Sequence, residues 1–98
     1  MNTSLPVHPK QASVIVYSKD YCPYCTAAKN LLTQKGVGYT EIDLSKNPEL
    51  RDDMIQKAGG RTTVPQIFIA DQHVGGFDDM KALDEKESLD AILFPNGK

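Results

Sequence analysis

The sequence predicts an α/β fold in which a four-stranded mixed sheet is flanked by helices. Three observations predict it. Short β-branched runs alternate with segments of helical apolar spacing, their order is strand, helix, strand, helix and then strand, strand, helix, and glycine or proline punctuates most of the junctions. With 98 residues, 40% of them hydrophobic, the chain has material for one core and no second.

Residues 1–12 carry two prolines and little periodicity, which predicts a flexible N-terminal arm ahead of a domain spanning residues 13–98. Ser13 to Tyr17 contains Val14-Ile15-Val16, a run that suits a strand buried on both faces. The segment after Cys22-Pro23-Tyr24-Cys25 places Ala28, Leu31 and Leu32 at helical spacing and stops at Gly36. Pro23 fits the first turn of that helix, where its missing N–H is not needed. Tyr39 to Leu44 alternates as a second strand. Asn47-Pro48 then opens a helix with Leu50, Met54 and Ile55 on its apolar face, ended by Gly59-Gly60. Pro65 leads into Gln66-Ile67-Phe68-Ile69, a turn is expected at Asp71-Gln72, and His73-Val74 returns as a hairpin partner broken by Gly75-Gly76. Between Phe77 and Phe94 the apolar residues Met80, Leu83, Leu89, Ile92 and Leu93 predict one or two closing helices with a break near Ser88. This order is that of the thioredoxin fold.

Composition excludes several classes of function. A net charge of -2 without clustered Lys and Arg argues against nucleic acid as a partner. No apolar run approaches the roughly 20 residues of a membrane span, and Met1 to Gln11 lacks the apolar core of a signal peptide, so a cytoplasmic protein without membrane association is expected. The only cysteines, Cys22 and Cys25, cannot form a framework of several disulfides and leave a redox pair or half a metal site.

The redox reading has a physical basis. Only a thiolate attacks a disulfide, and a helix N-terminus lowers a cysteine pKa from about 8.5 into the range ~3.5 to 7.5. If the helix begins at Pro23, its unpaired N–H groups and positive dipole end point at the Cys22 sulfur, and Lys19 adds a nearby positive charge. Cys22 is therefore the candidate nucleophile. Cys25, one turn later and further inside the helix, is within disulfide reach and is the candidate resolving thiol. A zinc site would need two further ligands, and neither His8 nor His73 lies near a second cysteine pair. Inert core cysteines are the bland alternative, which the strand, Cys-x-x-Cys, helix context disfavours.

Cys22-Pro23-Tyr24-Cys25 after a strand, Thr63-Val64-Pro65 before a strand and Gly75-Gly76-Phe77-Asp78-Asp79 before a helix together resemble the dithiol glutaredoxins, over about Ser13 to Leu93. Thioredoxins share the fold but carry Trp-Cys-Gly-Pro-Cys, and this chain has no tryptophan. The monothiol iron-sulfur relatives carry Cys-Gly-Phe-Ser, where this chain has Tyr24 and a second cysteine. The resemblance implies a groove for glutathione across the three motifs, with its sulfur at Cys22. In that groove Val64, before a cis Pro65, offers backbone N–H and C=O to the cysteinyl part, Lys19 meets the glycine carboxylate, Tyr24 forms a wall and Thr63 borders it. Gly76, Phe77 and Asp78 receive the γ-glutamyl group, with helix N-terminal N–H groups for its carboxylate and the Asp78 side chain for its ammonium. Each of these residues also has an ordinary reading, Lys19 as a solvated lysine and Asp78 as a helix cap. Phe77 departs from the many relatives with cysteine there. Arg51 and Gln56 are not assigned.

The activity so implied is a glutathione-dependent thiol-disulfide oxidoreductase acting on protein-glutathione mixed disulfides and protein disulfides, monomeric, with glutathione as co-substrate and no tightly bound cofactor. The alternatives are a thioredoxin-like reductant indifferent to glutathione, and an iron-sulfur carrier in which Cys22 of two chains and two glutathione thiols hold a cluster.

Overall fold

The structure is a computed structural model and describes residues 2–4 and 11–97. Its strands are β1 (Asn2–Ser4), β2 (Val14–Ser18), β3 (Thr40–Asp43), β4 (Gln66–Ile69) and β5 (Gln72–Gly75). Its helices are α1 (Pro23–Gln34), α2 (Arg51–Lys57, preceded by a 3₁₀ turn over Pro48–Leu50), α3 (Phe77–Glu85) and α4 (Leu89–Leu93). The expected four-stranded mixed sheet is present in the order β3-β2-β4-β5, with β3 parallel to β2 and the other neighbours antiparallel.

Alternation along β2 divides the core into two layers. Val14 and Val16 point toward α1, α3 and α4 and pack with Ala28, Leu32, Met80, Leu89 and Leu93. Ile15 and Tyr17 point the other way, where Leu44, Met54 and Phe68 cover the α2 face. The strand is thus buried on both faces, as its β-branched run predicts. The closing segment breaks between α3 and α4, with Ser88 at the start of the second.

The structure departs from the sequence reading in two details. The first lies in the arm. Asn2–Ser4 pair antiparallel with the outer edge of β3 and make a fifth strand. At the other end of the arm the Gln11 side chain donates to the Gly38 carbonyl at 2.7 Å and accepts the Gly38 N–H at 2.8 Å. An open strand edge offers unpaired N–H and C=O groups that any extended backbone can meet, so this pairing needs no apolar alternation and leaves no periodicity to read. Residues 5–10 of the arm, His8 among them, lie outside the described residues.

The second is the β4–β5 turn, which falls at Ala70-Asp71 rather than Asp71-Gln72. Both residues have positive φ, 52° and 64°, and Gln72 already pairs with Ile69. Positive φ at both positions of a two-residue hairpin loop is the type I′ geometry that matches the strand twist, and alanine gives no warning that it will adopt it.

Candidate active site

The loop after β2 delivers Cys22 to the N-cap of α1, with Pro23 at the first helical position. Cys22 is joined to Cys25 by a disulfide, the Cα atoms lying 5.2 Å apart. The Cys25 backbone N–H donates to Cys22 Sγ at 3.2 Å, so sulfur takes the place that a serine or aspartate oxygen usually fills at a helix cap. In the reduced protein a thiolate there meets the same donor and the positive end of the helix. The two cysteines differ in access. Cys22 is partly exposed, whereas Cys25 is only 1% exposed beneath the first turn.

Across from Cys22 stands the loop before β4. The Val64–Pro65 peptide bond is cis, and the Val64 carbonyl oxygen lies 3.8 Å from Cys22 Sγ. From there a groove of about 260 Å³ runs to the start of α3, and every predicted ligand residue except Lys19 lines it: Tyr24, Thr63, Val64, Pro65, Gly76, Phe77 and Asp78. Lys19 lines an adjoining cleft of about 380 Å³ that meets the groove at Thr63 and Val64. Tyr24 is largely exposed and stacks on Phe77, ring centroids 6.2 Å apart, so the Phe77 side chain props the groove wall.

At the far end of the groove the donors at the start of α3 are not equivalent. The N–H of Gly76 is not free for a ligand, because Asp79 Oδ2 accepts it at 2.9 Å. The N–H groups of Phe77, Asp78 and Asp79 precede the first helical bond, from the Met80 N–H to the Gly76 carbonyl, and so have no carbonyl partner in the helix. Asp78 is exposed and in no ion pair among the described residues, while Asp79 does the capping.

Three residues unassigned by sequence belong here. Arg61 Nη1 bonds Asp79 Oδ2 at 3.0 Å, joining the stretch before Thr63 to the start of α3. The Gly76 N–H chiefly, and then the Arg61 guanidinium, hold the Asp79 carboxyl below its usual pKa of 3.8. Arg51 lines the same cleft as Lys19 and gives it a second cation. No local signal marks Arg61. For Asp79 the signal was available, since an acid three residues past a cap position is half of a capping box.

Beneath the groove, Gln66 is fully buried, and its Nε2 donates to the Thr63 carbonyl at 3.0 Å. That orientation turns Oε1 toward His73 Nε2 at 2.6 Å, so His73 carries its proton on Nε2 and donates.

A disulfide joining a partly exposed sulfur at a helix cap to a buried one a turn further in is the working part of a thiol-disulfide oxidoreductase, and on this fold it defines the class of the protein. Comparison with known proteins narrows the class. The Glutaredoxin family model matches residues 14–74, and the chain belongs to the glutaredoxin family. It is 51% identical over 82 residues to Glutaredoxin 3 of Escherichia coli (strain K12), covering 84% of this chain and 98% of that one. A glutaredoxin of Pseudomonas aeruginosa is 51% identical over 80 residues, 82% of this chain and 94% of the relative. Among solved structures, the solution structure of glutaredoxin from Brucella melitensis matches with a TM-score of 0.77 and 46% identity, covering 93% of this chain and 99% of that one. A buckwheat glutaredoxin-glutathione complex matches with a TM-score of 0.76 and 33% identity, over 84% and 76% of the two chains.

Proposed function

We propose that this oxidoreductase is glutathione-dependent and reduces protein-glutathione mixed disulfides and protein disulfides, with Cys22 as nucleophile and Cys25 as resolving thiol. The observation that carries the reading is the groove leading from Cys22 past the Val64 carbonyl to the open N–H groups at the start of α3. It offers backbone to a cysteinyl peptide and both signs of charge to a zwitterionic end group. Lys19 and Arg51, in the adjoining cleft, suit a carboxylate at the other end. The buckwheat relative, solved with glutathione, supports the same ligand.

In the first reaction the Cys22 thiolate attacks the glutathione sulfur of a mixed disulfide. The S–S bond to the protein breaks, its electron pair leaves on the protein sulfur, which takes a proton, and Cys22 becomes glutathionylated. A second glutathione thiolate then attacks that bond, forms glutathione disulfide and returns Cys22 as thiolate. With a protein disulfide, Cys22 forms the mixed disulfide with the protein, and Cys25 displaces the protein thiol to give the Cys22–Cys25 bond. Two glutathiones reopen it. The protein acts as a monomer in the cytoplasm without a tightly bound cofactor. Among the described residues no helix is long and apolar enough to cross a membrane.

The test is a coupled assay with a glutathionylated protein and with a disulfide protein, run in parallel with glutathione plus its reductase and with thioredoxin reductase. Wild type should turn over with glutathione alone. Cys22→Ser should abolish both reactions. Cys25→Ser should keep deglutathionylation, lose most dithiol reduction and accumulate a one-glutathione adduct visible by intact mass. Turnover with thioredoxin reductase and none with glutathione refutes the glutathione reading. A Cys25→Ser protein as inactive as Cys22→Ser on the mixed disulfide, with its fold intact, refutes the division of labour.

A further inference from the structure

A second cleft, about 520 Å³, touches both cysteines and shares no residue with the groove. Behind the cysteines it is lined by Lys29 and Glu41. Lys29 lies one helical turn after Cys25, on the same face of α1. Glu41 pairs in register with Val16 of β2 and so projects toward α1 as Val16 does. Its Oε2 receives two donors, Lys29 Nζ at 2.8 Å and the hydroxyl of the buried Ser18 at 2.5 Å, and neither contact uses Oε1. This network holds one carboxylate, mostly withdrawn from solvent, in a cleft that reaches the resolving thiol.

The dithiol reaction has a need that matches it. Cys22 gains its thiolate from the helix N-terminus, but Cys25 sits inside the first turn, buried among apolar groups, and burial opposes its ionisation. Before Cys25 can attack, its proton must go somewhere. The groups facing this region are few. Lys19 and Lys29 are cations, burial pushes the Tyr39 hydroxyl up so that it stays protonated, Tyr21 is fully exposed, Asp20 lies on the outer loop, and Asp43 Oδ1 is engaged by the loop that follows β3, through the Ser45 N–H at 2.8 Å. Glu41 is the carboxylate under α1 beside the turn that carries Cys25.

We infer that Glu41 is the proton acceptor for Cys25 in the dithiol reaction, with Lys29 and Ser18 as positioning residues. The inference rests on the reading of Cys25 as resolving thiol. The step balances: the Cys25 proton passes to the Glu41 carboxylate, directly or through a water in the cleft, and the Cys25 thiolate attacks Cys22 Sγ of the mixed disulfide. The Cys22–Cys25 bond forms, the bond from Cys22 to the protein sulfur breaks, and the protein sulfur leaves with the electron pair and takes up one proton. Deglutathionylation by Cys22 alone never ionises Cys25 and does not need Glu41.

Glu41→Gln in the full chain separates the two reactions. Deglutathionylation should stay within about twofold of wild type, while single-turnover release of a protein thiol by Cys25 should slow about tenfold or more near neutral pH. The deficit should narrow steadily as pH rises, because hydroxide then takes the thiol proton without help from a carboxylate. Lys29→Met/Glu41→Gln, which leaves no ammonium without its counter-ion, should show the same split, and Asp43→Asn should not. A wild-type pH profile of thiol release in both Glu41 variants overturns the inference. So does an equal loss in both reactions, because the effect then acts on Cys22 or on the fold. If Cys25→Ser loses nothing in dithiol reduction, the underlying resolver reading fails first, independently of Glu41.

Discussion

Replacing Gly75 by alanine tests the link between the two walls of the groove. A Cβ on Gly75 would lie 2.3 Å from Asp79 Oδ2, 2.7 Å from its Cγ and 2.9 Å from Arg61 Nη1, with φ at +120°. A non-glycine residue in such a backbone region costs about 1–3 kcal/mol. The carboxylate is the movable partner, so the clash becomes the loss of its bonds. Giving up the Gly76 N–H costs about 1 kcal/mol, as for a lost helix cap. The Arg61–Asp79 pair, both side chains 47% exposed, adds at most a few tenths of a kcal/mol after solvent screening. The sum is about 2–4 kcal/mol, a large part of the roughly 5–15 kcal/mol by which a domain is stable. For a domain of this size it lowers Tm by about 10–30 °C. Scanning calorimetry of Gly75→Ala should be read against Gly36→Ala, where φ is +72° but no atom lies within 4 Å of the new Cβ. That control carries only the left-handed cost of about 1–2 kcal/mol. Asp79→Ala should cost little further in the Gly75→Ala background, because the bonds it removes are already broken. Equal Tm losses for the two glycine variants, or full additivity with Asp79→Ala, would refute the account.

Two other predictions concern the charges around the groove. Lys19→Gln and Asp78→Ala should each raise KM for a glutathione mixed disulfide about 5- to 150-fold, the loss of one charge-assisted contact worth about 1–3 kcal/mol; unchanged KM in both variants means the groove does not hold glutathione by its ends. His73 titrates below its ordinary pKa of 6.5, first because burial disfavours its charged form and then because Arg61 repels it, with Asp79 opposing. The unfolded chain therefore takes up this proton first, so the contribution of His73 is fully present above pH 6.5 and is lost as pH falls through the lower folded value. His73→Gln should flatten the decline of the urea midpoint over that interval, and an unaltered slope would assign it to other groups.

Much of the chemistry was readable locally. A proline after a cysteine, helical apolar spacing behind it and a second cysteine one turn on are local relations, and they mark a helix capped by the first sulfur with the second on the face that turns inward. The β-branched run at Val14–Val16 likewise announced a strand covered on both sides, because alternation and branching act through near neighbours. Tertiary structure decided what joins distant segments. Arg61 meets Asp79 across 18 positions, Ser18 meets Glu41 across 23, and Asn2–Ser4 reach β3 across nearly forty, each by a contact that no local propensity encodes. Asp78 and Asp79 show the boundary: adjacent and chemically alike, they point about 100° apart on a helix, so the local capping relation marks Asp79 for the Gly76 N–H, whereas its bond to Arg61 and the place of both residues along the groove are set by tertiary packing.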